Sequence, residues 1–275
     1  MTTKISKMMP RSRTLFRFLD SDWDSFKKVC NRRWSKIAPK LLDGKSMSTS
    51  RLLGSGYYGL VMKTTEEKLV VKVSSDRDEG FFNQLVLTDP YLRSSKGLPF
   101  IFDCFHIPEW SAYVILRENV RYGLERLPAS SPLARSIPVL DAFGEKTMRI
   151  EQDLTDVLNS LQRSTKSLNK DDFIMVYKEA KGLVRSEIIK ACKKLPYVSK
   201  SSKYHPSMGV LEHALDKYGI ALWDLHEDNL GSHQYSMKEF SDLAPALDKK
   251  SVLILDVGGN FGSPIMSQMI DDIDF

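Results

Sequence analysis

Arg51-Leu52-Leu53-Gly54-Ser55-Gly56-Tyr57-Tyr58-Gly59-Leu60-Val61 is the stretch that decides the fold. Three glycines interrupt two apolar runs in a G-x-G-x-x-G spacing, which has two common settings. In a dinucleotide-binding unit the motif opens a helix. Here it opens a β-branched run, so the spacing predicts strand, glycine loop, strand. Glycines let backbone N–H groups approach phosphate oxygens, and Val61 would roof a nucleotide base. The bland alternative is a plain hairpin with glycine turns.

Beyond Val61, Thr64 to Lys68 reads as a turn and Leu69-Val-Val-Lys-Val73 as a strand. Lys72 sits in mid-strand, where a lysine is unfavourable unless it is paired. Beneath a glycine loop it can neutralise phosphates; on an edge strand it would merely face solvent. A paired lysine needs a carboxylate. The helix predicted over Asp76–Thr88 offers Glu79 first, with Asp78 as the rival. Pro99–Ile107 and Ala112–Arg117 read as two more strands. Residues 51–117 are therefore predicted to form a five-stranded sheet with one inserted helix.

After Glu118 the pattern turns helical, with helices expected at Met148–Gln162, Asp171–Leu195 and Met208–Tyr218. Ala221-Leu-Trp-Asp-Leu-His-Glu-Asp-Asn-Leu-Gly231 follows. It sets Asp224, His226 and Asn229 in a row before a small-residue turn. Val252-Leu-Ile-Leu-Asp-Val-Gly258 then gives an apolar strand ending in Asp256. In a phosphoryl-transfer site Asp224 would accept the hydroxyl proton, and Asn229 and Asp256 would hold a metal. His226 would touch the γ-phosphate or hold the loop. Helix caps and Asx-turns are the bland reading of the same residues.

The N-terminal segment differs from the rest. Residues 1–40 hold eleven Lys and Arg against three Asp, about +8, whereas the whole chain is +5. A basic head can steer toward nucleic acid or an acidic partner, although a solvated helix face is the ordinary reading. Residues 1–19 read as a loose arm, and Asp20–Leu42 as a helix capped by Ser21. Three scattered cysteines, Cys30, Cys104 and Cys192, form no C-x-x-C pair and suit a reducing cytoplasm; only Cys104 has a histidine at ligand spacing, His106, and that lone pair reads as strand core. No 18-residue apolar run predicts a membrane span, and no apolar segment follows the basic N-terminus as a signal peptide would require.

Together these residues resemble the protein kinase-like superfamily. Gly54, Gly56, Gly59 and Val61 match its glycine-rich loop, and Lys72 its strand lysine. Asp224 and Asn229 keep the catalytic-loop offset of five, and Asp256-Val257-Gly258 matches the metal-binding Asp-Phe-Gly. Val114-Ile-Leu-Arg-Glu118 resembles the hinge that receives adenine. The resemblance implies an α+β, bilobal fold. Its N-lobe would be a five-stranded antiparallel sheet with one helix (51–118), its C-lobe reduced and mainly helical (119–275). Residues 1–50 would stand outside as a basic arm and helix.

The resemblance further implies ATP and Mg²⁺, or Mn²⁺, as cofactors. Gly54, Ser55, Gly56, Gly59, Val61, Lys72, Glu79, Leu116 and Glu118 would contact the nucleotide. Asp224, Lys72 and His226 would be catalytic, and Asn229 and Asp256 would bind metal. Leu222-Trp223 replaces the usual His-Arg, His226 replaces a lysine, and nothing resembling Ala-Pro-Glu follows Gly258. An activation loop switched by phosphorylation is therefore not expected. In style the chain is similar to compact early Ser/Thr protein kinases of bacteriophages. That implies a constitutively active enzyme acting on host proteins in the host cytoplasm, without a membrane. Asp224-Leu-His226-x-x-Asn229 is also similar to aminoglycoside and choline phosphotransferases, which makes a small-molecule kinase the alternative. A pseudokinase binding module is the third reading. Autophosphorylation is expected in the polar loop carrying Ser199, Ser201 and Ser202.

Overall fold

The computed structural model describes residues 8–123, 130–135, 156, 172, 175, 197–218, 220, 222, 229–234 and 251–256. By internal contacts the chain divides into two compact units. The first is Met1–Arg121 with Ser232–Lys250, and the second Tyr122–Gly231 with Ser251–Phe275.

The first unit is built on the predicted sheet. Its strands are β1 (Leu52–Ser55), β2 (Gly59–Lys63), β3 (Leu69–Ser74), β4 (Ile101–Ile107) and β5 (Ala112–Glu118). They pair antiparallel in the order β1-β2-β3-β5-β4. This is the α+β architecture that the glycine motif, Lys72 and the strand pattern imply. β3 is central, and all six of its residues are buried. Continuous β-branched residues suit a strand covered on both faces.

Two layers of helix provide the cover. On one face lie α1 (Pro10–Ser21) and α2 (Trp23–Arg33). Leu15, Phe16 and Leu19 of α1, and Trp23, Phe26 and Cys30 of α2, recur at helical spacing. They join Leu60, Met62, Val71, Val73, Val114 and Leu116 in one apolar cluster. On the other face lies α3 (Arg77–Thr88), between β3 and β4. Successive strand residues point to opposite faces. Leu69, Val71 and Val73 thus meet the N-terminal helices, while Val70, Lys72 and Ser74 lie on the face that α3 covers. A short helix, α4 (Pro90–Ser94), follows α3.

The N-terminal segment departs from its expected form. Pro10–Ser21, expected as a loose arm, is a helix with proline in its first turn and an apolar stripe. Ser21 caps nothing: it is the last residue of α1, and its hydroxyl donates to the Phe18 carbonyl at 3.0 Å. The chain breaks at Asp22 and starts again at Trp23. α2 stops at Arg33 instead of running to Leu42. Asn31 explains the stop. Its side-chain oxygen accepts from the Leu41 and Leu42 N–H groups at 2.9 and 2.8 Å, and its amide donates to the Leu42 carbonyl at 2.7 Å. These bonds turn the chain back and bury Leu41 and Leu42. Asp103 on β4 ties the end of α2 down, accepting from the Arg33 guanidinium at 3.0 Å and from the Trp34 indole at 2.7 Å.

In the second unit, α5 (His205–Tyr218) matches the predicted Met208–Tyr218 helix. Its Ser207 hydroxyl donates to the Val252 carbonyl. A three-stranded sheet has the order β6 (Val120–Tyr122), β7 (Leu230–His233), β8 (Val252–Ile254). The predicted helices Met148–Gln162 and Asp171–Leu195 lie outside the described residues, apart from positions 156, 172 and 175.

Candidate functional site

The glycine loop is a tight hairpin tip. Ser55 pairs with Leu60, and the Gly56 N–H donates to the Gly59 carbonyl at 2.9 Å. Tyr57 and Tyr58 form the two-residue turn between them, with rings 4.6 Å apart. The glycines are not equivalent. A Cβ on Gly54 or Gly56 would meet nothing within 4 Å, whereas one on Gly59 would lie 2.8 Å from the Val73 carbonyl. Only at Gly59 does the neighbouring strand enforce glycine by close approach. Ser55 is exposed at the end of β1, and Val61 is half-buried opposite Lys72.

Lys72 is buried, and its Nζ lies 2.5 Å from the Glu79 carboxylate, also buried. Of the two candidates, Glu79 is thus a partner of the lysine. Helix capping sets its position. Asp76 accepts from the Asp78 and Glu79 N–H groups at 2.9 and 3.3 Å, which fixes the first turn of α3 over β3. One residue on, Gly80 lets Tyr113 of β5 lie against the helix: a Cβ there would come within 2.1 Å of the ring. The Cys104 thiol donates to the Gly80 carbonyl at 3.5 Å. Burial, followed by the Glu79 charge, pushes that thiol well above its ordinary range. Cys104 is a core residue beside α3, and no cluster of three or more metal-ligating side chains occurs among the described residues.

Leu116 and Glu118 lie within the sheet of the first unit. They were expected in a hinge that presents free backbone groups to adenine. Both lie in β5, between β3 and β4, and Leu116 pairs with Val71 on one side and Asp103 on the other. The Glu118 N–H donates to the Phe100 carbonyl at 3.0 Å. Its carboxylate lies 2.6 Å from Nδ1 of His233, with both side chains fully buried. An apolar segment that reads as a hinge is here consumed by the sheet, because both its neighbours are strands. His233 was not foreseen, because a lone histidine after a polar loop carries no sequence signal of its own.

In the second unit, Asn229 precedes β7 and Asp256 follows β8. The Leu255 N–H donates to the Asn229 carbonyl at 2.8 Å, which brings the two predicted metal ligands to adjacent chain positions. Both are half-buried. An amide oxygen and a carboxylate are hard oxygen donors of the kind that Mg²⁺ or Mn²⁺ takes. Asp224 and His226 lie outside the described residues.

No family model matches the chain, and no curated protein matches it either. Among solved structures it is similar to a thermostable mutant of aminoglycoside phosphotransferase APH(4)-Ia in its apo form. The identity is 12% over 86% of this chain and 74% of that one, with a TM-score of 0.30. It is also similar to APH(2")-IIia in complex with GDP and kanamycin, at 12% identity over 90% of this chain and 82% of that one, with a TM-score of 0.30. Superpositions that loose decide neither fold nor chemistry.

Proposed function

We propose that this chain is an ATP-dependent phosphotransferase of kinase-like fold whose acceptors are Ser or Thr hydroxyls of proteins. The observation that carries the reading is the buried Lys72–Glu79 pair, 2.5 Å apart, in the strand next to a glycine hairpin. Burying two charges costs several kcal/mol of desolvation per ion, and apolar residues would serve stability as well or better. Such a pair makes sense where a cation must be held for an anionic ligand. In this reading Lys72 neutralises phosphate charge and Glu79 orients Lys72. Gly54, Ser55, Gly56 and Gly59 give the phosphates close access to backbone, and Val61 covers the base.

Asn229 and Asp256 would hold Mg²⁺, which when bound neutralises charge on the transferred phosphoryl group. Asp224 would take the acceptor proton, and His226 would contact the phosphate or steady the loop. In this reading the enzyme would be constitutively active, in the manner of a phage enzyme acting on host cytoplasmic proteins. Exposed Arg17, Lys28 and Arg32 on the N-terminal helices, with Lys36 just beyond them, would serve an acidic partner or nucleic acid.

The test is incubation with labelled ATP and Mg²⁺ in cell lysate, with Asp224→Asn as control. Label on protein bands, lost in the variant, is expected. The sequence Asp224-Leu-His226-x-x-Asn229 favours a second reading, a small-molecule kinase. Label found only on an added amino sugar or choline would establish that reading and overturn the first. ATP bound without any transfer would point to a pseudokinase.

A further inference from the structure

The hydroxyl of Ser12, in the first turn of α1, is fully buried against the tip of the glycine loop. It donates to the Gly56 carbonyl, and lies 3.3 Å from the Tyr57 carbonyl and 3.2 Å from the Gly59 carbonyl. One hydroxyl has one proton to give, so three acceptors share it. The remaining carbonyl of the tip, that of Tyr58, accepts from the N–H and the hydroxyl of Ser75 at 2.9 and 3.0 Å. The Arg11 guanidinium lies 4.9 Å from the Tyr58 ring centroid. Every carbonyl from Gly56 to Gly59 is therefore held by a donor.

This has a consequence for the amides. There are no cis peptides, and in a trans peptide the carbonyl of one residue and the N–H of the next point in opposite directions. With the Gly56 and Tyr57 carbonyls drawn to Ser12, the N–H groups of Tyr57 and Tyr58 point away from α1. Among the described residues nothing accepts from either. With the Tyr58 carbonyl drawn to Ser75, the Gly59 N–H likewise points away from Ser75. The two successive N–H groups of Tyr57 and Tyr58, both turned away from α1, are the kind of backbone arrangement that makes an anion-binding concavity.

We infer that Ser12 is a positioning residue for the nucleotide's phosphates. The N-terminal helix acts as a brace that collects the loop's carbonyls and leaves its amides aimed at an anion. This inference rests on the phosphotransferase reading above. In most of its length α1 covers the sheet with apolar side chains. Ser12 is the point at which that cover reaches the loop's backbone, and an apolar residue there would leave the Gly56 and Tyr57 carbonyls without their donor.

The experiment measures binding of Mg·ATP and of adenosine to the full chain, by calorimetry, in wild type, Ser12→Ala and Ser75→Ala. Adenosine lacks the phosphates and reports only on the base and ribose. Ser12→Ala should weaken Mg·ATP about tenfold and leave adenosine unchanged, which is the size of one lost shared hydrogen bond. Ser75→Ala, which keeps its backbone donor to Tyr58, should weaken Mg·ATP about threefold with the same selectivity. Equal weakening of both ligands, or no change in either, overturns the inference while leaving the phosphotransferase reading in place. If Ser12→Ala does not fold, the ATP-against-adenosine split in Ser75→Ala decides in the same way. Failure of the wild type to bind Mg·ATP at all would instead overturn the function itself.

Discussion

The two faces of the five-stranded sheet are covered by helices of opposite character. Where α1 and α2 pack, β3 presents Leu69, Val71 and Val73, and the contact is a continuous apolar cluster. Where α3 packs, β3 presents Val70, Lys72 and Ser74, and the contact includes a buried ion pair, a thiol-to-carbonyl bond and a ring lying on a glycine. The alternation of a single strand divides the labour. One face supplies stability by removing apolar surface from water, about 1.5–3 kcal/mol per fully buried large side chain. The other accepts a poorer energetic bargain in order to hold charge.

Substitutions that strike one face and spare the other test this division. The largest effect on chemistry is expected at Lys72→Met. Phosphate transfer should fall by at least about 100-fold, the size of losing one well-placed charge-stabilising donor. Circular dichroism should still show a folded protein. Undiminished transfer in a labelled-ATP assay would remove the lysine face from the catalytic account. Leu19→Ala, on the helix face, should do the reverse. Leu19 is fully buried, and its truncation should cost about 2–5 kcal/mol in urea unfolding. Transfer measured well below the melting temperature should stay close to wild type.

Much of the lysine face was legible in sequence, and the reason is geometric. A glycine motif that opens a strand, a lysine among valines and an acidic helix start all lie within thirty residues, so strand and helix periods alone place them together. The β-hairpin, the inserted helix and Glu79 follow from local pattern. The helix face was legible only in part. Trp23, Phe26 and Cys30 show helical spacing, but the break at Asp22 and the stop at Arg33 depend on Asn31 meeting Leu41 and Leu42, a contact that no local pattern announces. Ser12 was hidden for the same reason: its partners lie 44 to 47 residues away. Residues 114–118 resemble a hinge but also have the composition of any buried strand, and local pattern does not separate the two. Only the pairing on both edges shows that they lie between β3 and β4.

Gly80→Ala disturbs the lysine face from within α3. The ring of Tyr113 occupies the position of the missing side chain, at the ring's base as well as its edge, so rotation of the ring alone does not make room. The helix must lift, and Glu79 is the adjacent residue. A loss of about 1–3 kcal/mol is expected from overpacking, a fall of roughly 2–4 °C or more in Tm for a chain of this class. Transfer should fall as well, because Glu79 moves relative to Lys72. Gly54→Ala is the control: a Cβ there meets nothing, and stability should be unchanged within about 0.5 kcal/mol.

The smallest effect concerns Cys30, fully buried in the helix-face cluster. Burial, followed by the nearby Asp103 charge, holds its thiol far above the ordinary cysteine range. In the unfolded chain the thiol ionises near pH 8.5, whereas in the folded chain it stays protonated. Above that pH the folded state therefore binds more protons than the unfolded one, and stability falls as pH rises. Below it the difference vanishes. Melting curves from pH 7 to 10 should show a steeper alkaline decline for wild type than for Cys30→Ala, although the variant starts lower for want of the sulfur's packing. Parallel declines would mean that the thiol ionises as freely in the fold as outside it, and that the helix face is not the dry apolar layer described.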